Sequence, residues 1–523
     1  MIQKNFKLKN YLNSLKKVPN SWFVLAAALS IILFLILFVN FSFIIKYFPI
    51  NAAHEDFNGH MVKVDFMKNY GFNEVPNWYN GFYPFRTYYF GYLAFTLPIY
   101  LLFGNLNLAT FISVVIIYIF AFIGCLFFSK IRGGFKNKKR SILFFILFFF
   151  NPVILFDSLH LGRLPELFGW LFFLFQSLII FNYKDKRIDN KFIISYSIVS
   201  ALLILSGPMI FFLSLSLLAG LFLVKNFKEK IKIVLSFFGS LILTSFWWLP
   251  IFIRNEYSQI SSFYGPDYMA SIFIRPSSLL FLFKNWYHDL AILAFLFVLY
   301  FYFSSSKNSN KKDYIFFAPA ILLSILYLFK ITYFMPFIGS VYHLIFVYFF
   351  WFLFLYIVLK IDISHLMARF KIILLFFLYH MYIPIIFYLL LFANIKPFIY
   401  GDLDKQIVEL SDTINERFIV VPHPDYSDAY YPAIVSYITY KNNATTPMGW
   451  TPQSARKSVI EMNKEAIKDV QENNCQDILL FFKEQRIESL LTFGDYCTNL
   501  LQCGFSFKES TEDVCVLELK NNP

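Results

Sequence analysis

The sequence predicts an all-α polytopic membrane bundle of about eleven transmembrane helices plus juxtamembrane segments, followed by a small extracytoplasmic α/β C-terminal domain. Three observations carry that prediction. Of 523 residues, 58% are apolar, 22% aromatic and only 15% charged, where a soluble domain carries about 25% charged residues. Long, nearly uncharged apolar runs recur from residue 22 to about 396. The charge is unevenly divided: residues 397 to 523 hold 11 Lys+Arg against 19 Asp+Glu, whereas residues 1 to 396 hold 35 against 14.

The basic excess sits in short loops between apolar runs. Lys4, Lys7, Lys9, Lys16 and Lys17 lie in residues 1 to 21, a basic N-terminus predicted to be cytoplasmic. Further clusters are Lys130 to Arg140, Lys184/Lys186/Arg187/Lys191, Lys225 to Lys232, Lys307/Lys311/Lys312 and Lys360/Arg369/Lys371. Retention of Lys and Arg on the cytoplasmic side explains these loops, and the basic stripes interleaved with aromatics that mark a nucleic-acid binder are absent. The run after residue 21 is longer than a signal-peptide core and lacks a small-x-small cleavage site, so it reads as a retained first span.

Spans are expected near 22 to 48, 107 to 129, 141 to 157, 166 to 183, 191 to 206, 208 to 224, 232 to 253, 287 to 304, 314 to 332, 342 to 360 and 370 to 395. An odd count puts the C-terminus outside. The apolar stretch Thr87 to Gly104 is not counted, because a full crossing there would move every later basic loop outside. Its Gly91, Pro98, Tyr88, Tyr89 and Tyr100 suit an interfacial or re-entrant segment, and Ser271 to Phe283 reads similarly.

Residues 397 to 523 read as a separate unit. Arg417 to Pro422, Glu488 to Phe493 and Val514 to Leu519 have strand patterning, while Ala455 to Gln471 and Asp477 to Gln485 have helical spacing. Cys475, Cys497, Cys503 and Cys515 all fall here and allow up to two disulfides in three connectivities, or four unpaired small side chains; Cys125 alone lies in a span. Trp450, in Pro447 to Gln453, could stack on a sugar ring or fill a small core. Asn443-Ala-Thr445 is an N-glycosylation acceptor pattern.

This topology gathers the polar chemistry on one face, in residues 49 to 86, 157 to 166, Ser206 to Pro208, 254 to 275, 333 to 341 and the C-terminal domain. The outer loop 49 to 106 opens with His54-Glu55-Asp56-Phe57-Asn58-Gly59-His60, two adjacent carboxylates flanked by two histidines. Carboxylates at the mouth of a low-dielectric cavity can deprotonate an acceptor hydroxyl, or hold a divalent metal such as Mg or Mn through hard oxygen ligands. The alternative is a solvated loop. The second segment reads Asp157-Ser-Leu-His160-Leu-Gly162-Arg163-Leu-Pro165-Glu166, where Arg163 could grip a phosphate oriented by Glu166 or Asp157, or close a structural salt bridge. Arg254, Glu256, Asp267, Arg275 and His343 read as interfacial anchors or buried polar groups.

These residues carry a resemblance. A basic N-terminus, one span, the acidic His54-Glu55-Asp56 motif, Gly81-Phe-Tyr-Pro84-Phe, a basic loop and then Arg163 with Glu166 resemble the GT-C superfamily of polyprenyl-phosphate-sugar-dependent membrane glycosyltransferases. With Phe246-Trp247-Trp248-Leu249-Pro250 and the C-terminal domain, the chain also resembles the prokaryotic membrane proteins called "6-pyruvoyl-tetrahydropterin synthase-related". Nothing in it resembles the zinc-binding histidines of pterin synthases. The resemblance covers residues 22 to about 396. It implies inverting transfer of a sugar from a polyprenyl phosphate to a glycan or protein acceptor at the outer face of the cell membrane. Asp56 would be the general base or a metal-associated carboxylate, with Glu55 the alternative. Arg163 would meet the donor phosphate, and His54, His60, His160 and Glu166 would line the substrate site. The motif is Glu-Asp where the family has Asp-x-Asp. The other class the sequence leaves open is non-enzymatic: a transporter or flippase for lipid-linked glycans, or an assembly partner. A transporter would carry ionisable groups near the midplane of several spans, whereas here they crowd one face.

Overall fold

The computed structural model describes residues 18–50, 56–253, 286–305, 311–329, 331–335, 343–360, 399–426, 431–450 and 455–520, with Phe377 and Ile386. Helices dominate as far as residue 360. In Val18–Ser42, Leu33, Leu37 and Phe41 recur every fourth residue and are buried, while Val24, Leu35 and Val39 are exposed on the opposite flank. One stripe faces protein and the other is an apolar surface suited to lipid. The helix Leu164–Lys184 starts with Pro165 and Glu166 and ends with Lys184, which matches the fixed φ of proline and the sign of the helix dipole at each end.

Among the described residues, three helices are long and apolar enough to cross a membrane: Val24–Ile45, Leu106–Phe127 and Leu164–Lys184. Lys138–Phe149 and Pro152–His160 make a fourth if the pair, bent by 53°, is one broken span. The bend has a local cause. The Asn151 side chain accepts the Val153 N–H at 2.9 Å and Pro152 restarts the helix. The expected count of eleven therefore exceeds what length and composition support among the described residues. Asn190–Ser206, Pro208–Val224, Leu290–Ser304 and Leu344–Lys360 are apolar but shorter, and 17 residues of helix reach only about 25 Å, less than a hydrocarbon core. The expected span 370 to 395 falls almost wholly outside the described residues, as does Ser271 to Phe283. The stretch left uncounted, Thr87 to Gly104, contains the helix Gly91–Phe103 with Pro98 inside it.

A second difference concerns residues 157 to 166, expected as an open loop. Phe156–His160 is instead a single π-helical turn that continues Pro152–Leu155, and Leu164 already begins the next helix. Only Leu161 to Arg163 are left to connect the two.

The C-terminal domain has a four-stranded sheet in the order β1-β2-β4-β3: β1 Phe418–Val420, β2 Ser489–Phe493, β3 Phe505–Ser510 and β4 Val514–Leu519. β1 runs parallel to β2 and the other pairs are antiparallel. Disulfides join Cys475 to Cys503 and Cys497 to Cys515, and Cys125 is free and buried. The expected strands and the helices Lys457–Gln471 and Cys475–Gln485 are present within a few residues of their expected ends. β3 and the helices Asp402–Ser411 and Tyr431–Asn442 were not anticipated.

This domain docks on the first polar segment through hydrogen bonds. Trp78 Nε1 donates to Thr439 Oγ1 at 3.2 Å, the Thr446 N–H to the Asn77 carbonyl at 2.9 Å, and the Tyr79 N–H to the Met448 carbonyl at 3.2 Å. Asn443 belongs to the same seam: its φ is +53° and its side-chain oxygen accepts the Asn77 amide at 3.0 Å.

Candidate functional site

The site forms where two helices begin. Asp56 precedes the helix Phe57–Tyr70, and its backbone N–H donates to the Leu161 carbonyl at 3.0 Å, joining it to the turn before Leu164–Lys184. Gly162 permits that approach. Its φ is +84°, and a Cβ there would lie 2.5 Å from the Phe57 nitrogen. The next residue, Arg163, places Nε 3.5 Å from an Asp56 carboxylate oxygen and Nη1 3.9 Å from Asp157. Asp157 is buried and accepts the Tyr348 hydroxyl at 2.6 Å, whereas the side chains of Asp56 and Arg163 keep 29% and 22% of their exposure. One oxygen of Glu166 is buried with no hydrogen-bond partner among the described residues. The cluster thus pairs a guanidinium loosely with two carboxylates and leaves acceptor capacity unused nearby.

The other expected residues divide. His160 packs on Phe156 within the π-helical turn, the ring centres 4.6 Å apart and the planes tilted by 32°. His60 is buried with Nδ1 3.3 Å from the Tyr88 hydroxyl; burial, and then the neighbouring Lys63, hold its pKa well below the ordinary value. His54 and Glu55 lie outside the described residues, as do Arg254, Glu256, Asp267, Arg275 and the side chain of His343. Trp450 is neither exposed nor part of a separate small core. It is buried edge-on to the His60 ring at 5.1 Å and presses on Gly59, where a Cβ would meet its ring at 2.0 Å.

Sequence reasoning missed Lys63, Tyr88 and Tyr348. Lys63 is 1% exposed, and its ammonium lies 3.6 Å from the centre of the Tyr88 ring and 4.6 Å from that of Trp450. Burial pushes its pKa well below the ordinary lysine range, and the Asp56 charge pulls it back up. Burial, then Tyr89 beside it, raises the Tyr88 hydroxyl well above the usual value, so it stays protonated. Tyr88 is fixed from behind by Trp247, whose Nε1 donates to the Tyr88 carbonyl at 3.1 Å.

A metal finds poor support in this donor set. Among the described residues no group of three or more His, Cys, Asp and Glu side chains is gathered as ligands. Between Asp56 and Asp157 the countercharge is supplied by Arg163.

No family model and no curated protein matches the chain. Among solved structures, the mycobacterial arabinofuranosyltransferase AftD matches with a TM-score of 0.56 at 12% identity, over 96% of this chain and 40% of that one. A mutant form of the same enzyme aligns with a TM-score of 0.55. The chain therefore shares its fold with that arabinofuranosyltransferase, and it spans about two fifths of the length of the enzyme it matches.

Proposed function

We propose that the chain is an integral-membrane glycosyltransferase that moves a sugar from a polyprenyl-phosphate donor to a glycan or protein acceptor at the outer face of the membrane. The supporting observation is the Asp56–Arg163–Asp157 cluster at the junction of two helix starts, on a fold shared with an arabinofuranosyltransferase. In this reading the acceptor hydroxyl oxygen bonds to the anomeric carbon while the bond from that carbon to the phosphate oxygen breaks. The electron pair leaves on the phosphate, and Asp56, or Glu55 beside it, takes the acceptor proton. Arg163 exchanges its loose carboxylate contacts for the leaving phosphate, where a fixed cation stabilises the charge that develops. Glu166 and His160 border the same space, with His54 preceding it in the chain. His60 acts through Tyr88 rather than by touching the sugar.

Eleven spans, a cytoplasmic N-terminus and an extracytoplasmic C-terminal domain belong to the same proposal. They would put the cluster at the headgroup level, where a lipid-linked donor keeps its charged end. The base for the acceptor proton and the cation for the leaving phosphate are both side chains in this scheme, so Mg or Mn has no assigned step.

The test is transfer in lipid nanodiscs from farnesyl-phosphoryl arabinofuranose, mannose, glucose and galactose. The wild-type chain should release farnesyl phosphate from at least one of them in the presence of a glycan acceptor, and Asp56→Asn should lower that rate about 10²- to 10⁴-fold. An Asp56→Asn chain that turns over at the wild-type rate removes Asp56 from the chemistry. No turnover of any donor, with bilayer passage of the intact lipid instead, supports the flippase class.

A further inference from the structure

We propose that Lys63, caged between Tyr88 and Trp450, is a positioning residue for Asp56, so that the C-terminal domain completes the transferase site through Trp450. This rests on the reading of Asp56 as the reactive carboxylate. Asp56, His60 and Lys63 stand at positions i, i+4 and i+7, one stripe of the helix that Asp56 begins. The charge at the end of that stripe is held in a place where charges are rarely found, nearly devoid of solvent.

What holds it comes from two directions. Tyr88 is anchored by its carbonyl to Trp247, from the Phe246-Trp247-Trp248-Leu249-Pro250 segment. Trp450 comes from the C-terminal domain, on a stretch fixed by the bonds from Thr446 to Asn77 and from Tyr79 to Met448. Two glycines make the fit, one on each partner. Gly59 lies under the Trp450 ring, and a Cβ on Gly449 would lie 2.4 Å from the Tyr79 ring. Aromatic faces stabilise an ammonium without cancelling its charge. Lys63 stands two turns along the same helix from Asp56, and Arg163, at the start of Leu164–Lys184, lies 3.5 Å from the Asp56 carboxylate. A carboxylate in the field of two cations keeps one orientation, which a base needs if it is to meet an acceptor hydroxyl. Trp450 as mere domain glue would predict none of the kinetic effects below.

The experiment uses the full chain in nanodiscs and has two arms. The first needs no substrate: acetylation by sulfo-N-hydroxysuccinimide acetate, read by peptide mass spectrometry, with the exposed Lys405 and the buried Lys184 as references. Lys63 should react far more slowly than Lys405. Trp450→Ala should speed its labelling about tenfold, by the loss of one aromatic face and its packing, while Lys184 stays protected and Trp450→Phe stays near wild type. Labelling of Lys63 as fast as Lys405 in the wild type, or indifferent to Trp450→Ala, overturns the cage.

The second arm uses whichever farnesyl-phosphoryl sugar turns over. Lys63→Met should lower kcat about tenfold with the donor KM unchanged, and Lys63→Arg should recover much of the loss. Trp450→Leu should act likewise, and the double variant should be no worse than Lys63→Met alone. A raised KM with intact kcat, or additive losses, overturns the positioning role. The two failures are distinguishable, because a fully active Asp56→Asn chain sinks the reading of Asp56, whereas an inactive one beside an unaffected Lys63→Met chain sinks this inference only.

Discussion

Leu164–Lys184 carries an ion pair at each end, and the two could hardly differ more. At its last residue, Lys184 contacts Asp313 in a direct salt bridge, both side chains about nine-tenths buried, and Tyr302 donates to the second Asp313 oxygen at 2.7 Å. At the start, Arg163 faces Asp56 and Asp157 at 3.5 and 3.9 Å, with water reaching Arg163 and Asp56. The first arrangement is short and dry, with both carboxylate oxygens of Asp313 engaged. The second is long, wet and short of donors around Glu166. A short buried pair holds a fold together, whereas a longer one that keeps part of its exposure beside the unpartnered Glu166 oxygen has room to meet a substrate.

The sharpest way to break this contrast is a crossed measurement on both ends. Asp56→Asn should lose transfer by about three orders of magnitude with little change in thermal midpoint. Asp313→Asn should do the reverse, costing about 3 kcal/mol of stability by leaving Lys184 buried without its partner, while turnover per folded molecule survives. Activity and melting curves on both variants decide it, and equal stability losses would make the Arg163 end structural too. A smaller effect is expected for Arg163→Lys, which keeps the charge but loses the planar fork. The donor KM should rise about tenfold while acceptor KM holds.

The smallest effect sharpens the contrast from the side of the loop helix. His60 is neutral when folded because its pKa lies well below 6.5. Its unfolded form binds a proton first as pH falls, so the stability it supports is full above pH 6.5 and drains below it. Melting followed from pH 7.5 to about 5 should show a fall that His60→Gln flattens. An identical slope in the variant would assign the acid sensitivity to other groups.

Much of this architecture was legible in the sequence, and what was not has physical reasons. The apolar runs marked the helices, yet hydrophobicity reports burial in lipid and in protein alike, so Asn190–Ser206 and Pro208–Val224 read as spans although they are short. Tyr431–Asn442 escaped because its β-branched and aromatic residues lack a helical period, and β3 because an edge strand with a bulge near Phe507 has one polar face. Asp56, Arg163 and Glu166 stood out because charges are scarce. Lys63 did not, although its spacing from Asp56 and His60 is helical, because residues 49 to 86 read as a polar loop, in which no helical period is expected. Tyr348 could not be found from local pattern, since it reaches Asp157 from a distant part of the chain, and for the same reason Trp450, although singled out, could not be placed against His60 and Lys63.

The two disulfides of the C-terminal domain tie its helices and sheet into closed loops, and such bonds form only where thiols are oxidised. Trp450 lies outside both closed loops, so the cystines brace the domain that carries it over Lys63 without enclosing the cage itself.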